Sequence, residues 1–367
     1  MSQASPIRSL NSQTDRAPFV THDAAFGAVL GDAARLARVQ DRPSRPAMAD
    51  SGLSHRSHSR LARVLSTDAH EGPVYVPGED ALYFTTLPRP GQVPAPGNPR
   101  VRVKRLALDG ERFPLEPDRV STIREDANVA NGMALDLEGR LLACEQGTRS
   151  QHAAVTRTDR RSGAVETLVD EYAGLRLNSP NDVVQRSDGT VWFTDPSYGY
   201  LQGFRPEPEL GDCVYRFDPR SGDLSVVADS FDKPNGLAFS PDETVLYVGD
   251  SGANQERGSF YPSRPHHIKA FDVVDGRHLS GERLFCVTTP GFPDGIKVDA
   301  EGRVYASAFS GVQVFSPEGD LIGEIELPGA VNFTFGGPDR NVLFITADHA
   351  VWAAVLAATG PSRVRGV

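Results

Sequence analysis

The chain has 367 residues and three cysteines, and its 48 acidic and 38 basic side chains give a net charge of −10 at neutral pH. The cysteines at positions 144, 213 and 286 are far apart and odd in number, so we expect buried, reduced thiols and not a disulfide framework or a metal cluster. The acidic balance, without a cluster of basic and aromatic residues, argues against nucleic acid as a partner.

Residues 1–60 differ in composition from the rest and are predicted to be a largely flexible N-terminal extension. Within it, the Ala-rich stretch Asp23–Gln40 could form a short helix with one apolar face: Phe26, Val29, Leu30 and Ala34. The extension has no apolar core of the kind found in secretory signals, and no segment approaches the ~18 apolar residues that cross a bilayer. We therefore expect a cytoplasmic protein without a membrane partner.

From residue 61 onward one pattern recurs, and it is clearest in residues 178–200, NSPNDVVQRSDGTVWFTDPSYGY. A polar residue beside Gly or Asp is followed by an apolar strand, a turn and a second apolar strand. The leading polar residues are Glu71, Asn131, Asn181, Asn235, Asp294 and Asn332. Repeats of roughly 40–60 residues built from short strands are typical of a propeller in which each blade is one four-stranded sheet. The sequence thus predicts an all-β fold, a six-bladed β-propeller over residues 61–367.

Two further patterns support this prediction. Similar outer hairpins recur at residues 154–168 and 214–227, so blades 2 and 3 match in their outer as well as their inner strands. Propellers are commonly closed by an N-terminal strand that completes the last blade and removes an exposed edge. We expect residues 61–65 to be this strand.

The leading residues are candidates for a metal site, because the innermost strands of a propeller begin at one mouth of its channel. All six carry oxygen donors, without His or Cys, which suits a hard divalent cation: Ca²⁺ best, Mg²⁺ or Mn²⁺ conceivable, Zn²⁺ less natural. Asn-Gly and Asp-Gly pairs also form ordinary turns. Their recurrence before the strand, where another sequence already supplies the hairpin turn, favours a metal site.

These stretches, together with KPNGLAFSPDETVLYV and GFPDGIKVDAEGRVY, resemble the senescence marker protein/gluconolactonase (regucalcin-like) family, in its gluconolactonase/lactonohydrolase branch. The resemblance covers residues 61–355 and implies a calcium-dependent hydrolase of small lactones. It also implies that four of the leading residues are the metal ligands: Glu71, Asn181, Asn235 and Asp294. The family's usual substrate-contacting Arg, two residues before the Asn of blade 3, is replaced here by Ser179.

These residues are compatible with metal-assisted ester hydrolysis in which Asp294 acts as general base. Second candidates for the base or for support of the site are Asp195, Asp250 and Glu145, and Asp195 is equally well interpreted as a turn residue. We assign four residues to substrate binding: Asn131, Asp195, Tyr198 and Phe204. The pair His266-His267 is interpreted as a solvated loop, with proton transfer as the alternative. No GxSxG elbow occurs in the sequence, which argues against a covalent serine mechanism.

Two other functions remain open at this point. The same site could polarise the P=O bond of an organophosphate or another phosphoester, or the propeller could bind calcium without catalysis. The preferred interpretation is a sugar-lactone or related small-lactone hydrolase, present as a monomer or weak homo-oligomer.

Overall fold

The computed structural model describes residues 18–31, 37–39, 61–88, 98–108 and 113–362. Six sheets arranged around a central channel form a propeller, which confirms the predicted fold class. Each of blades 1 to 4 and blade 6 is a four-stranded antiparallel sheet, and blade 5 carries two additional strands from the N-terminal part of the chain. Among the described residues, no helix has the length and apolarity needed to cross a membrane.

The strands are given from the innermost to the outermost of each blade. Blade 1 consists of Ala69–Val76, Ala81–Thr86, Val103–Ala107 and Val120–Arg124. Blade 2 consists of Ala130–Leu135, Leu141–Glu145, Ala154–Thr158 and Val165–Val169. Blade 3 consists of Val183–Gln185, Val191–Asp195, Cys213–Asp218 and Asp223–Ala228. Blade 4 consists of Pro234–Phe239, Val245–Asp250, His267–Val274 and His278–Val287. Blade 5 consists of Ile296–Val298, Val304–Ala308, Gly311–Phe315 and Leu321–Glu326. Blade 6 consists of Asn332–Gly336, Val342–Thr346, Ala350–Val355 and Leu61–Ser66.

Four short helices and one two-stranded sheet complete the described structure. Two are α-helical, Phe26–Leu30 and Tyr198–Leu201, and two are 3₁₀ turns that begin at proline, Pro77–Glu79 and Pro117–Arg119. The small sheet pairs Glu171–Tyr172 with Leu175–Arg176.

The ring is closed by Leu61–Ser66, which pairs antiparallel with Ala350–Val355 as the outer strand of blade 6. This confirms the predicted closing strand. The first and the last strand of the propeller in chain order therefore belong to one sheet. Neither end of the chain can leave the propeller without breaking the hydrogen bonds of blade 6.

The burial pattern follows from the position of each strand in its blade. The second strand of blade 3, Val191–Asp195, is buried along its whole length because it lies between strands and between blades. The outer strand Asp223–Ala228 is more exposed. Aromatic pairs join neighbouring blades, such as Trp192 with Phe239 at 5.4 Å between ring centroids. The three cysteines are buried free thiols, as predicted.

The N-terminal extension contributes to blade 5. Phe19–Thr21 pairs antiparallel with Leu321–Glu326, and Ala37–Val39 pairs parallel with Phe19–Thr21. The helix is shorter than the predicted stretch 23–40, because it ends at Gly31 (φ 56°) and residues 37–39 form a strand. Ala34 and the remainder of the extension lie outside the described residues.

The helix packs tightly on the propeller. Phe26, Val29 and Leu30 are fully buried in the apolar cluster between blades 5 and 6. The ring of Phe26 lies on Gly323, where an added Cβ would lie well under 3.0 Å from the ring. Residues 19–30 therefore belong to the folded core.

Replacement of Phe26 by Ala tests this packing. We expect Phe26→Ala to lower the free energy of unfolding by about 3–5 kcal/mol, because it leaves a cavity between two blades. Gly27→Ala is the matched control, since an added Cβ at Gly27 meets no atom of the described part of the chain within 4 Å. It should stabilise the protein by up to about 1 kcal/mol through helix propensity. Equal unfolding midpoints in urea for both variants would show that the helix is only loosely attached.

Candidate functional site

The leading residues of neighbouring blades contact one another at one mouth of the channel. The Nδ2 of Asn332 donates a hydrogen bond to Oε2 of Glu71 (2.7 Å), which joins blades 6 and 1. The N–H of Gly132 donates to the main-chain oxygen of Asn181 (2.7 Å) between blades 2 and 3, and the N–H of Gly236 donates to that of Asp294 (3.1 Å) between blades 4 and 5.

The glycines after the leading residues permit this close approach. Gly132, Gly236 and Gly295 do not have positive φ angles, so they are not needed for left-handed turns. An added Cβ at any of them would instead lie well under 3.0 Å from an atom of the neighbouring blade. The turns of these hairpins are made elsewhere, at glycines such as Gly139 and Gly302, both with positive φ. This distinction supports the interpretation that the leading motifs build the mouth.

Glu71 and Asp294 form a buried acidic pair, although they come from blades 1 and 5. The side chain of Asp294 is within hydrogen-bonding reach of the carboxyl group of Glu71 and the carboxamide of Asn235. Burial, and then the charge of Asp294, raise the pKa of Glu71 above its usual range. Burial likewise raises the pKa of Asp294. Without a cation, the two groups are therefore poorly stabilised as two carboxylates.

The carboxamides of Asn332 and Asn235 contact this pair, and two further asparagines, Asn181 and Asn131, lie just before or at the start of the inner strands of blades 3 and 2. Asn235 is buried, and its carboxamide also contacts the hydroxyl of Tyr198. Asn181 is buried on the segment before the inner strand of blade 3, where its N–H donates to the main-chain oxygen of Thr194 (2.8 Å). Asn131 has a buried Oδ1 that finds no hydrogen-bond partner among the described residues.

The donor set can be compared with what a cation requires. Among the described residues, no three side chains drawn from His, Cys, Asp and Glu gather into a metal cage. A cation at the mouth must therefore use carboxamide oxygens beside the carboxylates of Glu71 and Asp294. An oxygen-only set with two charges fits a hard divalent ion such as Ca²⁺.

Asp182 and Lys297 also belong to this region, although sequence reasoning did not identify them. Asp182 is buried, and its Oδ2 lies 4.0 Å from Nζ of Lys297. Lys297 also donates to Oδ1 of Asn332 (3.4 Å), and Asn332 in turn binds Glu71. Two signals were present in the sequence. Asp182 stands where Asn131, Asn235 and Asp294 are followed by glycine, and Lys297 interrupts an apolar inner strand.

Tyr198 and Phe204 occupy different parts of the rim. Tyr198 is buried, and its hydroxyl donates to the main-chain oxygen of Ser251 (3.3 Å) and faces Asn235. Burial and the charge of Asp294 raise the pKa of Tyr198 well above its usual range, so the hydroxyl retains its proton. Phe204 packs against Val101 and Val129. The structure therefore brings Tyr198 to the acidic pair, while Phe204 lies against blades 1 and 2.

Asp195 and Ser179 are fully buried and bound to the protein. The two carboxylate oxygens of Asp195 accept main-chain N–H groups of Asn178 (2.8 Å) and Ser179 (2.7 Å). The hydroxyl of Ser179 donates to the main-chain oxygen of Pro196 and accepts the N–H of Gly199, both at 2.8 Å. These contacts hold the segment before Asn181, and substrate contact by Asp195 stays a prediction.

The remaining candidates have local partners. Glu145 forms an ion pair with Arg124 (2.6 Å) and accepts a hydrogen bond from Thr156 (2.8 Å). The ring of His266 lies 6.2 Å from that of Phe260, and His267 begins the third strand of blade 4. His267 thus lies in a strand and both histidines are partly buried, which corrects the interpretation as a solvated loop, and proton transfer by either stays a prediction.

The long loops between the second and third strands of the blades open on the same face as the site, because the second strand ends where the antiparallel inner strand begins. These loops span residues 146–153, 196–212 and 251–266 in blades 2 to 4. The corresponding turns of blades 5 and 6 are short, at residues 309–310 and 347–349. Most of the predicted loop Pro88–Pro99 of blade 1 lies outside the described residues.

A model of the family described as SMP-30/Gluconolactonase/LRE-like region matches residues 69–349, from the inner strand of blade 1 to the last turn of blade 6. The chain belongs to this family. The predicted resemblance is thereby confirmed for the propeller, and the match begins after the N-terminal extension.

Individual members of the SMP-30/gluconolactonase family are similar over most of the chain. A gluconolactonase of Zymomonas mobilis is 32% identical over 297 residues, which cover 78% of this chain and 79% of the relative. The lactonohydrolase oryL of Aspergillus oryzae is 29% identical over 75% of this chain and 65% of its own length. A solved gluconolactonase structure from Xanthomonas campestris has a TM-score of 0.69 and 34% identity, covering 92% of this chain and 94% of that one.

Close packing at the mouth can be tested with Gly236→Ala. We expect this variant to lose about 1–3 kcal/mol of folding free energy, because its Cβ would collide with the main-chain oxygen of Asp294. Gly211→Ala is the control, since its Cβ would lie 3.6 Å from the nearest atom outside its neighbours. Its unfolding midpoint should stay within about 0.5 kcal/mol of the wild type. An unchanged midpoint for Gly236→Ala would contradict the packing described for blades 4 and 5.

Proposed function

We propose that the chain is a divalent-metal-dependent lactonase, with Ca²⁺ as the preferred ion, that opens the ester ring of a sugar lactone or a related small lactone. The observation that carries the proposal is the buried pair Glu71–Asp294, surrounded by carboxamides at the channel mouth. Such a pair is costly unless a cation or a proton compensates it. Relatives named gluconolactonase and lactonohydrolase support the substrate class.

In this proposal Glu71, Asn181, Asn235 and Asp294 hold the cation. A divalent ion bound there would supply Lewis-acid polarisation of the lactone carbonyl and acidify a water molecule. Glu71 is almost fully buried (3% exposed), whereas Asp294 is partly exposed. We therefore assign to Asp294 the contact with the reacting water, whose proton passes to a carboxylate oxygen of Asp294 as the hydroxyl group adds to the carbonyl carbon. When the tetrahedral adduct collapses, the ring C–O bond breaks, and Asp294 returns this proton to the leaving ring oxygen, which becomes a hydroxyl group of the open-chain acid.

The other polar groups orient the substrate. The hydroxyl of Tyr198 lies beside Asn235 and Asp294, and because its proton is donated to Ser251, its oxygen can accept a hydrogen bond from a substrate hydroxyl group. The free Oδ1 of Asn131 can accept one from a hydroxyl group of a sugar lactone. When a substrate binds, it displaces water from these polar groups of the protein. A substrate rich in hydroxyl groups can replace the lost hydrogen bonds with its own.

Replacement of the acidic pair is the direct test. We expect Asp294→Asn and Glu71→Gln each to lower kcat/KM for δ-gluconolactone by roughly 10²–10⁴, because the base or a charged ligand is lost. Removal of metal with a chelator should abolish wild-type activity, and added Ca²⁺ should restore it. Proton release, corrected for spontaneous hydrolysis, measures the rate. Asp229→Asn, at an exposed position, is the control and should retain full activity. Full activity of the metal-free wild type would refute the proposal.

A substrate panel separates the alternative functions. We expect hydrolysis of sugar lactones at least about 100-fold faster, by kcat/KM, than that of an aryl phosphotriester such as paraoxon, because the hydroxyl groups of a sugar match the polar groups of the mouth. Faster turnover of the phosphotriester would favour a phosphoester hydrolase. Calcium binding without turnover of either class would favour a non-catalytic platform.

A further inference from the structure

The segments that carry Asn181 and Asn235 are held by the same arrangement. Asp195 and Asp250, each the last residue of the second strand in its blade, are buried. Asp195 accepts N–H groups from the residues three and two positions before Asn181, as described above. Asp250 accepts N–H groups from the residues three and two positions before Asn235, namely Asp232 (3.0 Å) and Lys233 (2.9 Å). Because the same pair of hydrogen bonds occurs in two blades, we interpret Asp195 and Asp250 as groups that hold the segments before Asn181 and Asn235, and not as residues of a single local turn.

In blade 3 the same segment is also held through its carbonyl groups by Arg205. Arg205 is only 5% exposed, with Nε donating to the main-chain oxygen of Asn178 (2.9 Å) and Nη2 to that of Leu177 (2.8 Å). Nη1 donates to the main-chain oxygens of Thr148 and Gln151, both at 3.0 Å. Arg205 thus fastens the loop of blade 2 to the segment that leads to Asn181.

These contacts matter because residues 177–182 are not part of a strand. Main-chain hydrogen bonds to Thr194 and Gly132 hold Asn181 itself, whereas the carbonyl groups of residues 177 and 178 and the N–H groups of residues 178 and 179 are bound by side chains. Asp195 binds N–H groups of the segment and Arg205 binds carbonyl groups, so the segment is held at both its hydrogen-bond donors and its acceptors. Groups that orient a metal ligand typically contribute 10–100-fold to metal affinity.

We propose that Asp195 and Arg205 are positioning residues that fix the segment 177–179 and thereby place Asn181 for binding the cation. The inference rests on the proposed function for its metal, but its structural part does not. Neither residue contacts substrate in this proposal, and their effect passes entirely through the backbone before Asn181.

The test uses Asp195→Asn and Arg205→Lys in the full chain. In Asp195→Asn, an NH₂ group replaces one of the two carboxylate oxygens and faces a main-chain N–H that then has no acceptor. In Arg205→Lys, the positive charge is kept, but the ammonium group cannot bind all four carbonyl oxygens. Arg149→Gln is the matched control for the arginine, because Arg149 is exposed and binds only the main-chain oxygen of Gly203 among the hydrogen bonds of the described residues. Asp229→Asn is the control for the carboxylate.

Two readouts are measured on folded protein. Hydrogen–deuterium exchange of residues 178–182 in the metal-free state should accelerate at least 10-fold in both variants, while residues 232–236 of blade 4 keep their wild-type rates. The dissociation constant for Ca²⁺, titrated as CaCl₂ in a calorimeter, should rise 10- to 100-fold. Both controls should match the wild type in both readouts, and lactone hydrolysis by the variants should recover at high Ca²⁺.

The outcomes distinguish the two proposals. Unchanged exchange in both variants overturns the positioning role, and so does faster exchange with an unchanged Ca²⁺ dissociation constant. If the wild type binds no Ca²⁺ and hydrolyses no lactone, the proposed function fails, and the placement of Asn181 for a cation fails with it. In that case, faster hydrogen–deuterium exchange confined to residues 178–182 in the variants would support only the structural conclusion that Asp195 and Arg205 fix this segment.

Discussion

Two buried carboxyl groups that face each other, Glu71 and Asp294, impose the constraint on which the rest of the structure depends. They come from blades 1 and 5, and desolvation and their mutual repulsion make two negative charges costly there. The carboxamides of Asn332 and Asn235 and the imidazole of His70 lower the pKa values of the pair, whereas the neighbouring carboxyl group of Asp182 raises them. The nearby ammonium group of Lys297 lies closer to Asp182 and Asn332. A protein that maintains such a pair is built either to share a proton or to hold a cation.

The fold brings these groups together through contacts between blades. The glycines after the leading residues let backbone approach backbone, the outer strand Leu61–Ser66 fixes the ring at its junction, and Asn332 joins blade 6 to Glu71 of blade 1. Since the mouth is made from the starts of inner strands, its geometry depends on all six blades. The loops above it can differ among relatives without disturbing that geometry.

The sequence was sufficient to predict the propeller because each blade repeats its own turn signals and buried strands. It also indicated the leading residues, whose shared position before the inner strands is visible without coordinates. It did not identify Asp182, Lys297 or Arg205, because their partners are set by loops and by neighbouring blades. The stretch 23–40 was predicted to be helical from its composition, whereas residues 37–39 form a strand. Pairing with the edge of blade 5 outweighed a weak local propensity there.

A crystal structure of the wild-type protein grown with Ca²⁺, with the ion identified by its anomalous scattering, tests the central claim most directly. The account predicts one ion at the channel mouth, with oxygen atoms of Glu71, Asn181, Asn235 and Asp294 at about 2.3–2.6 Å. A mouth without an ion at saturating Ca²⁺, with the carboxyl groups of Glu71 and Asp294 still in mutual contact, would contradict it.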